Sequence, residues 1–66
     1  MPDIKTIHTS LVNGNRRQMV EQINEYGLYD FWFDYGHYLY DLYENLPVRY
    51  GYFQDAVVSY HRIKNR

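Results

Sequence analysis

Apolar side chains recur at helical spacing along most of the chain, most clearly between residues 28 and 46. On a helix drawn at about 100° per residue, one arc of this run contains Leu28, Trp32, Tyr35, Leu39, Leu42, Tyr43 and Leu46. A strand over the same residues would mix apolar and charged groups on one face. The run therefore predicts the longest helix of the protein, at about 28–46.

Two further runs have the same period. Within residues 15–26, Met19, Ile23 and Tyr26 are four and three residues apart, Asn15 is a suitable N-cap, and Gly27 marks the end. Another helix follows Pro47, whose fixed φ suits a first helical residue. Its apolar positions begin at Phe53 and recur three, four and seven residues later, at Ala56, Val57 and Tyr60.

The segment 3–12 is open to two interpretations. Ile4, Ile7 and Leu11 have helical spacing, and Asp3 could cap the helix. Ile7 and Thr9 are β-branched and two residues apart, so they would also fit on one face of a strand. A short helix is favoured, and a strand is the alternative.

These elements predict an all-α protein, a small single-domain bundle of three to four short helices spanning residues 1–66. A chain of 66 residues allows one domain at most and buries only about 60% of its unfolded surface. The connections are short, so neighbouring helices should run antiparallel.

Composition and chain termini exclude several classes of protein. There is no cysteine, which excludes disulfides and thiolate metal sites and favours an intracellular, cytoplasmic location. The first residues lack the basic-then-apolar order of a secretory signal. No stretch approaches the roughly 18 uncharged apolar residues of a membrane span, so no membrane partner is expected.

Motifs for catalysis are absent from the sequence. There is no GxSxG and no glycine-rich phosphate loop, and so small a chain has little room for a water-excluding pocket. We therefore expect no enzyme, no catalytic residue and no cofactor. Asp34, His37 and Asp41 share a helix face, but one helix supplies only an open and weak metal site, so we expect no bound metal.

Charge is distributed very unevenly, although the net charge is only −1. From Gln18 to Val48 there is no Lys or Arg, whereas both ends of the chain are basic. Charge asymmetry of this kind bears on partners and association rates. The acidic residues of the middle segment are Glu21, Glu25, Asp30, Asp34, Asp41 and Glu44, of which the last four gather opposite the apolar arc.

Aromatic residues are unusually abundant, with nine Tyr, three Phe and one Trp making 20% of the chain. A core this small cannot enclose all of them. Exposed tyrosines are frequent at the centres of protein interfaces. The alternative is that the rings line the edge of the core with their hydroxyl groups in water. On the helix 28–46 the rings that border the apolar arc are Tyr29, Phe33 and Tyr40 on one side and Phe31 and Tyr38 on the other.

Together these features favour a non-enzymatic protein-binding module. The predicted partner site comprises the six acidic residues of the middle segment with Tyr29, Phe33, Tyr38 and Tyr40. The acidic face would steer the protein to a basic surface, such as that of a nucleic-acid-binding host protein. Small size, no cysteine and an acidic-aromatic surface are compatible with inhibitors of host factors encoded by phages or other mobile elements.

Two alternatives belong to other classes. One is a structural homo-oligomer, in the simplest case a homodimer, whose interface is its own aromatic stripe. The other is a small nucleic-acid-binding protein that uses the basic C-terminal tail, residues 60–66. Nucleic acid is disfavoured as a partner because the acidic middle segment would repel it.

Overall fold

The computed structural model describes residues 1–44 and 50–65, except for the side chain of Tyr50. These residues form four helices and no strand: α1 (Ile4–Val12), α2 (Arg16–Tyr26), α3 (Leu28–Tyr43) and α4 (Tyr50–Lys64). The predicted small all-α bundle is confirmed. α3 is the longest described helix, with 16 residues, but it ends at Tyr43. The predictions for Leu46 and Pro47 lie outside the described residues.

The beginnings of the first two helices follow from side-chain caps. Asp3 Oδ1 accepts a hydrogen bond of 2.8 Å from the backbone N–H of Thr6, and this bond lowers the pKa of Asp3. The segment 3–12 is therefore capped helix, as favoured, and the strand alternative is wrong. Asn15 caps α2 in the same way, because its Oδ1 accepts a hydrogen bond of 3.3 Å from the backbone N–H of Gln18.

Gly27 is the only residue between α2 and α3. Its φ of 103° lies in the region that side chains with a Cβ rarely adopt, which is why a glycine ends α2 here. Its N–H donates to the carbonyl of Ile23, and its own carbonyl accepts from Phe31, so one residue closes α2 and opens α3.

The core draws on all four helices. α2 packs against each of the other three. Enclosing a side chain such as Ile or Phe stabilises the fold by about 1.5–3 kcal/mol. The buried apolar residues in the described part of the chain are Ile4, Ile7, Leu11, Met19, Val20, Ile23, Phe31, Tyr35, Leu39 and Ala56.

α3 is turned relative to the predicted arc. Tyr35 and Leu39 are buried as predicted, but Phe31, expected at the border, is at the centre of the core and stacks on Tyr35 at 4.8 Å. Leu42, expected inside, is 48% exposed; it lies on the same side as Phe31, and its exposure follows from its place in the last turn of α3. Apolar residues cover most of the circumference of α3, so the neighbouring helices decide which side is buried.

α4 is fixed to α2 by two polar contacts. The hydroxyl of Tyr60 donates to Asn24 Oδ1 at 2.9 Å. Arg16 forms an ion pair of 2.8 Å with Asp55, in which both side chains are partly exposed. Exposed pairs of this kind contribute at most about 1 kcal/mol, so the pair orients α4 more than it stabilises it.

Trp32 joins α3 to α4. Its half-buried indole ring meets Phe53 edge-on, with ring centroids 5.7 Å apart. The indole Nε1 is enclosed, with no hydrogen-bond acceptor among the described residues.

Candidate functional site

Three aromatic rings project from the outer face of α3, the side turned away from Tyr35 and Leu39. The exposed fractions are 85% for Tyr29, 70% for Phe33 and 55% for Tyr40. The sequence placed all three on one border of the apolar arc, and the structure leaves them outside the core. We call these three residues the outer rings.

Tyr38, the fourth ring of the predicted partner site, is in a different environment. It is half-buried, and its ring meets His8 of α1 edge-on at 5.3 Å. Tyr52 of α4 is also half-buried and reaches the same imidazole at 6.0 Å. Tyr38 therefore lies at the boundary of the core, on the opposite side of α3 from the outer rings.

The acidic residues of α3 run beside the outer rings. Asp30, Asp34 and Asp41 fall within about 40° of one another around the helix axis, at about 100° per residue. We call these three residues the acidic edge. Asp30 and Asp41 are exposed, as is Glu44 at the C-cap. There is no Lys or Arg in α3 to neutralise them.

Asp34 also has a structural contact that the sequence did not reveal. Its carboxylate accepts a short hydrogen bond from the hydroxyl of Tyr26, which links α3 to α2. This hydrogen bond is the main reason that the pKa of Tyr26 is raised to about 12. Asp34 is half-buried, so it is both part of the acidic edge and a tie between two helices.

The other two predicted acidic residues are on a different helix. Glu21 and Glu25 are exposed on α2, on the side opposite the buried Met19 and Ile23. Among the described residues no hydrogen bond or ion pair joins them to the acidic edge. The structure therefore groups the acidic residues of α3 with the outer rings and leaves the two glutamates apart.

His37 lies between the outer rings and the acidic edge. Its imidazole meets the ring of Phe33 edge-on at 4.9 Å. Within residues 1–44 and 50–65, no three His, Cys, Asp or Glu side chains are grouped so that they could hold a metal ion. The Asp34, His37 and Asp41 spacing thus produces a mixed polar and aromatic surface.

A second polar cluster, inside the fold, was missed by the sequence reasoning. His8 Nδ1 lies 3.1 Å from the hydroxyl of Tyr35, and both residues are buried. Burial lowers the pKa of His8 and raises the pKa of Tyr35, so both are neutral near pH 7. Its position four residues after Ile4 and one after Ile7 places His8 on the apolar side of α1, and this spacing could have revealed it.

A shallow polar groove of about 370 Å³ separates α1 from α2. Several of its polar groups are paired with each other or nearby: Thr9 donates to the carbonyl of Lys5, and Ser10 donates to Gln22. Lys5 is its only charged lining residue.

The basic residues of the C-terminal tail that the structure describes are exposed at the end of α4. Arg62 and Lys64 occupy its last turn, where cations interact favourably with the helix dipole. Tyr60, the aromatic residue of the tail, is half-buried and bonded to Asn24. Its ring is therefore less available for stacking than the outer rings of α3.

Comparison with known proteins found no matching family model, no similar curated protein and no similar solved structure. None of the helices in the described part of the chain has the length and apolar character needed to cross a lipid bilayer.

Proposed function

We propose that the protein is a non-enzymatic binding module that docks the outer face of α3 onto a basic surface of another protein. The observation that carries this proposal is the placement of three exposed rings directly beside a row of carboxylates on one helix. Tyr29, Phe33 and Tyr40 supply the apolar part of the face, and Asp30 and Asp41 supply its exposed charge.

The outer rings favour burial against a partner. Phe33 has no polar atom in its side chain, yet it is 70% exposed. Full burial of such a side chain is worth about 1.5–3 kcal/mol. Tyr29 and Tyr40 add large, rigid rings whose hydroxyl groups can also bond to a partner, which is why tyrosine is common at interface centres.

The acidic residues favour a basic partner. From Gln18 to Val48 there is no Lys or Arg to weaken their field. Such a field speeds association with a positively charged surface, while apolar contacts made after docking control dissociation. A groove that binds nucleic acid is a surface of this kind. In the finer form of the proposal, carboxylates occupy it in place of phosphates, which is the action of an inhibitor.

Two double variants with the same change in net charge test the proposal. Asp30→Asn with Asp41→Lys alters the outer face of α3, and Glu21→Gln with Glu25→Lys alters α2. Proteins captured from a lysate on immobilised wild type at low salt are identified, purified and titrated against each variant. We expect the α3 pair to slow association with the basic partner by about tenfold or more, and the α2 pair much less.

Circular dichroism of both variants shows whether folding is intact. Equal effects of the two pairs would reduce the mechanism to overall charge and contradict docking through α3. If Arg62→Gln with Lys64→Gln abolished binding while the α3 pair did not, the basic tail would be the binding site instead.

A further inference from the structure

The spacing of the outer rings is that of a helix-packing seam. Tyr29 and Phe33 are four residues apart, Gly36 follows after three, and Tyr40 after four more. These four positions lie within about 60° of one another around α3. Alternation of three and four residues is the pattern by which one helix packs along another. We call these four positions the α3 seam.

Gly36 is the position of the α3 seam that has no side chain. It is inside a continuous helix, where glycine is unfavourable relative to alanine. A Cβ built on Gly36 would have no atom within 4 Å apart from the helix itself and its chain neighbours, so packing in the described part of the chain does not require a glycine. Between Phe33 and Tyr40, the missing side chain leaves space for another backbone to approach.

The charge beside the α3 seam is one-sided. Asp30 and Asp41 lie on one flank, next to His37, which touches Phe33. On the other flank, Trp32 packs against Phe53, so α4 closes that side. An occupant that matches this surface has an apolar ridge for the seam and a row of Lys or Arg along one edge.

These requirements describe an amphipathic basic helix better than they describe a second copy of this chain. In a symmetric antiparallel pair of copies joined at Gly36, the two acidic edges would face each other across the interface. Like charges held face to face oppose association. The charge therefore selects a basic partner over a second copy in this arrangement.

We propose that the α3 seam binds an amphipathic basic helix of the partner protein, which crosses α3 at Gly36 and places its Lys or Arg residues against the acidic edge. This inference rests on the proposed function and specifies the partner's binding element. Apolar side chains of the bound helix pack between the outer rings, and its backbone approaches closely at the glycine.

The test uses two synthetic peptides of Leu and Lys, each about as long as α3. In one, Leu recurs with a period of 3.6 residues and forms a helical apolar face; in the other, the same residues alternate with a period of two. Binding to the full-length protein is measured by titration calorimetry. We expect the helical peptide to bind about tenfold tighter or more, a difference that corresponds to about 1.4 kcal/mol.

Matched glycine variants locate the contact. Gly36→Gln fills the space in the α3 seam with an uncharged side chain. Gly51→Gln makes the same change in α4, where a Cβ also meets no described atom within 4 Å outside its own helix and chain neighbours. Glutamine favours helix over glycine, so both variants should fold. Gly36→Gln should weaken binding of the helical peptide by about tenfold or more, and Gly51→Gln should leave it unchanged.

Each contrary result has a distinct meaning. Suppose that both peptides bind equally and that neither binds the Asp30→Asn with Asp41→Lys variant. This result would overturn the helix inference and leave the proposed function standing. No binding of either peptide, or binding unaffected by that variant, would overturn both. Sedimentation that shows a dimer in wild type and a monomer in Gly36→Gln would identify a second copy as the occupant and overturn the inference.

Discussion

His8 Nδ1 and the Tyr35 hydroxyl are 3.1 Å apart in the core, on two helices that are separated by α2 in the sequence. The pair satisfies two polar side chains that would otherwise be buried without partners. His8 also meets the rings of Tyr38 and Tyr52. A neutral imidazole suits this environment, because the described side chains that contact it are tyrosines and none of them is a carboxylate that could balance a positive charge.

Acid should destabilise the protein through His8. Because burial lowers the pKa of His8, the unfolded chain binds a proton more readily than the folded chain below about pH 6.5. The stabilising contribution of the neutral imidazole is complete above that pH and decreases as the pH falls toward the folded pKa. Urea unfolding at about pH 7.5 and about pH 5.5 should show the decrease.

Two histidine variants isolate this effect. His8→Gln retains an amide that can pair with Tyr35 but removes the titrating group, so most of the loss between the two pH values should disappear. His37→Gln changes an exposed imidazole and should leave the loss in place. An unchanged pH dependence in His8→Gln would show that another group is responsible.

The hydrogen bond from Tyr26 to Asp34 should contribute measurably to stability. Tyr26→Phe removes the donor from a carboxylate that is half-buried, and we expect the free energy of unfolding to fall by about 1 kcal/mol. Tyr29→Phe is the matched control, since Tyr29 is 85% exposed, and it should change stability by less than about 0.5 kcal/mol. Similar losses in the two variants would mean that the bond to Asp34 contributes nothing.

Alkaline pH should weaken the same contact. The hydrogen bond raises the pKa of Tyr26 to about 12, above the unfolded value near 10. Stability from this bond is therefore complete below about pH 10 and is lost as the pH rises toward 12. In a spectrophotometric titration, the difference between wild type and Tyr26→Phe should show one tyrosine that ionises near pH 12. Ionisation of this tyrosine near pH 10 would contradict the hydrogen bond to Asp34.

The extent of the core along α3 can be tested with two leucines three residues apart. Leu39 is fully buried, whereas Leu42 is 48% exposed. Leu39→Asp places an unpaired carboxylate in the core at a cost of several kcal/mol, comparable to the total stability of a small domain. We expect it to unfold the protein, and Leu42→Asp to cost less than about 1 kcal/mol. Circular dichroism melts distinguish this result from unfolding of both variants, which would show that the core extends to Leu42 as the predicted arc has it.

Two helical glycines should be replaceable with a gain in stability. Among the described residues, a Cβ at Gly36 or Gly51 meets no atom within 4 Å outside its own helix and chain neighbours. Alanine at either position should raise the free energy of unfolding by about 0.5–1 kcal/mol. Gly14 has a φ of 76°, so Gly14→Ala should instead lower it, by about 1 kcal/mol. Thermal melts of the three variants measure this contrast, and a loss at Gly36 would reveal packing around it.

Local signals explain why the helices could be predicted. Asp3, Asn15 and Gly27 act at short range on their own backbone, so their positions fix helix ends without knowledge of the rest of the fold. The exposure of the outer rings followed from a count of aromatic residues against the size of the core. These features depend on neighbours within one turn of helix or on composition alone.

The remaining features depend on contacts between helices. Phe31 is buried because the apolar circumference of α3 offers more than one side for burial. Leu42 lies on the same side as Phe31 and is exposed because it is in the last turn of α3, beyond the enclosed part of the helix. The bond from Tyr26 to Asp34 joins two helices whose relative rotation no local pattern specifies. The sequence placed Glu21 and Glu25 on the helix 15–26, but whether that helix turns them toward the acidic edge depends on how α2 packs against α3.

The contact between Trp32 and Phe53 gives the protein an internal optical reporter. Trp32 is the only tryptophan in the chain, and its half-buried ring lies at the junction of α3 and α4. Separation of α4 would bring water to the indole and move its emission to longer wavelengths. Fluorescence therefore follows the α3–α4 junction without a label, whereas far-ultraviolet dichroism follows the helices as a whole. A fluorescence transition that precedes the dichroism transition would reveal α4 detaching before the other three helices unfold.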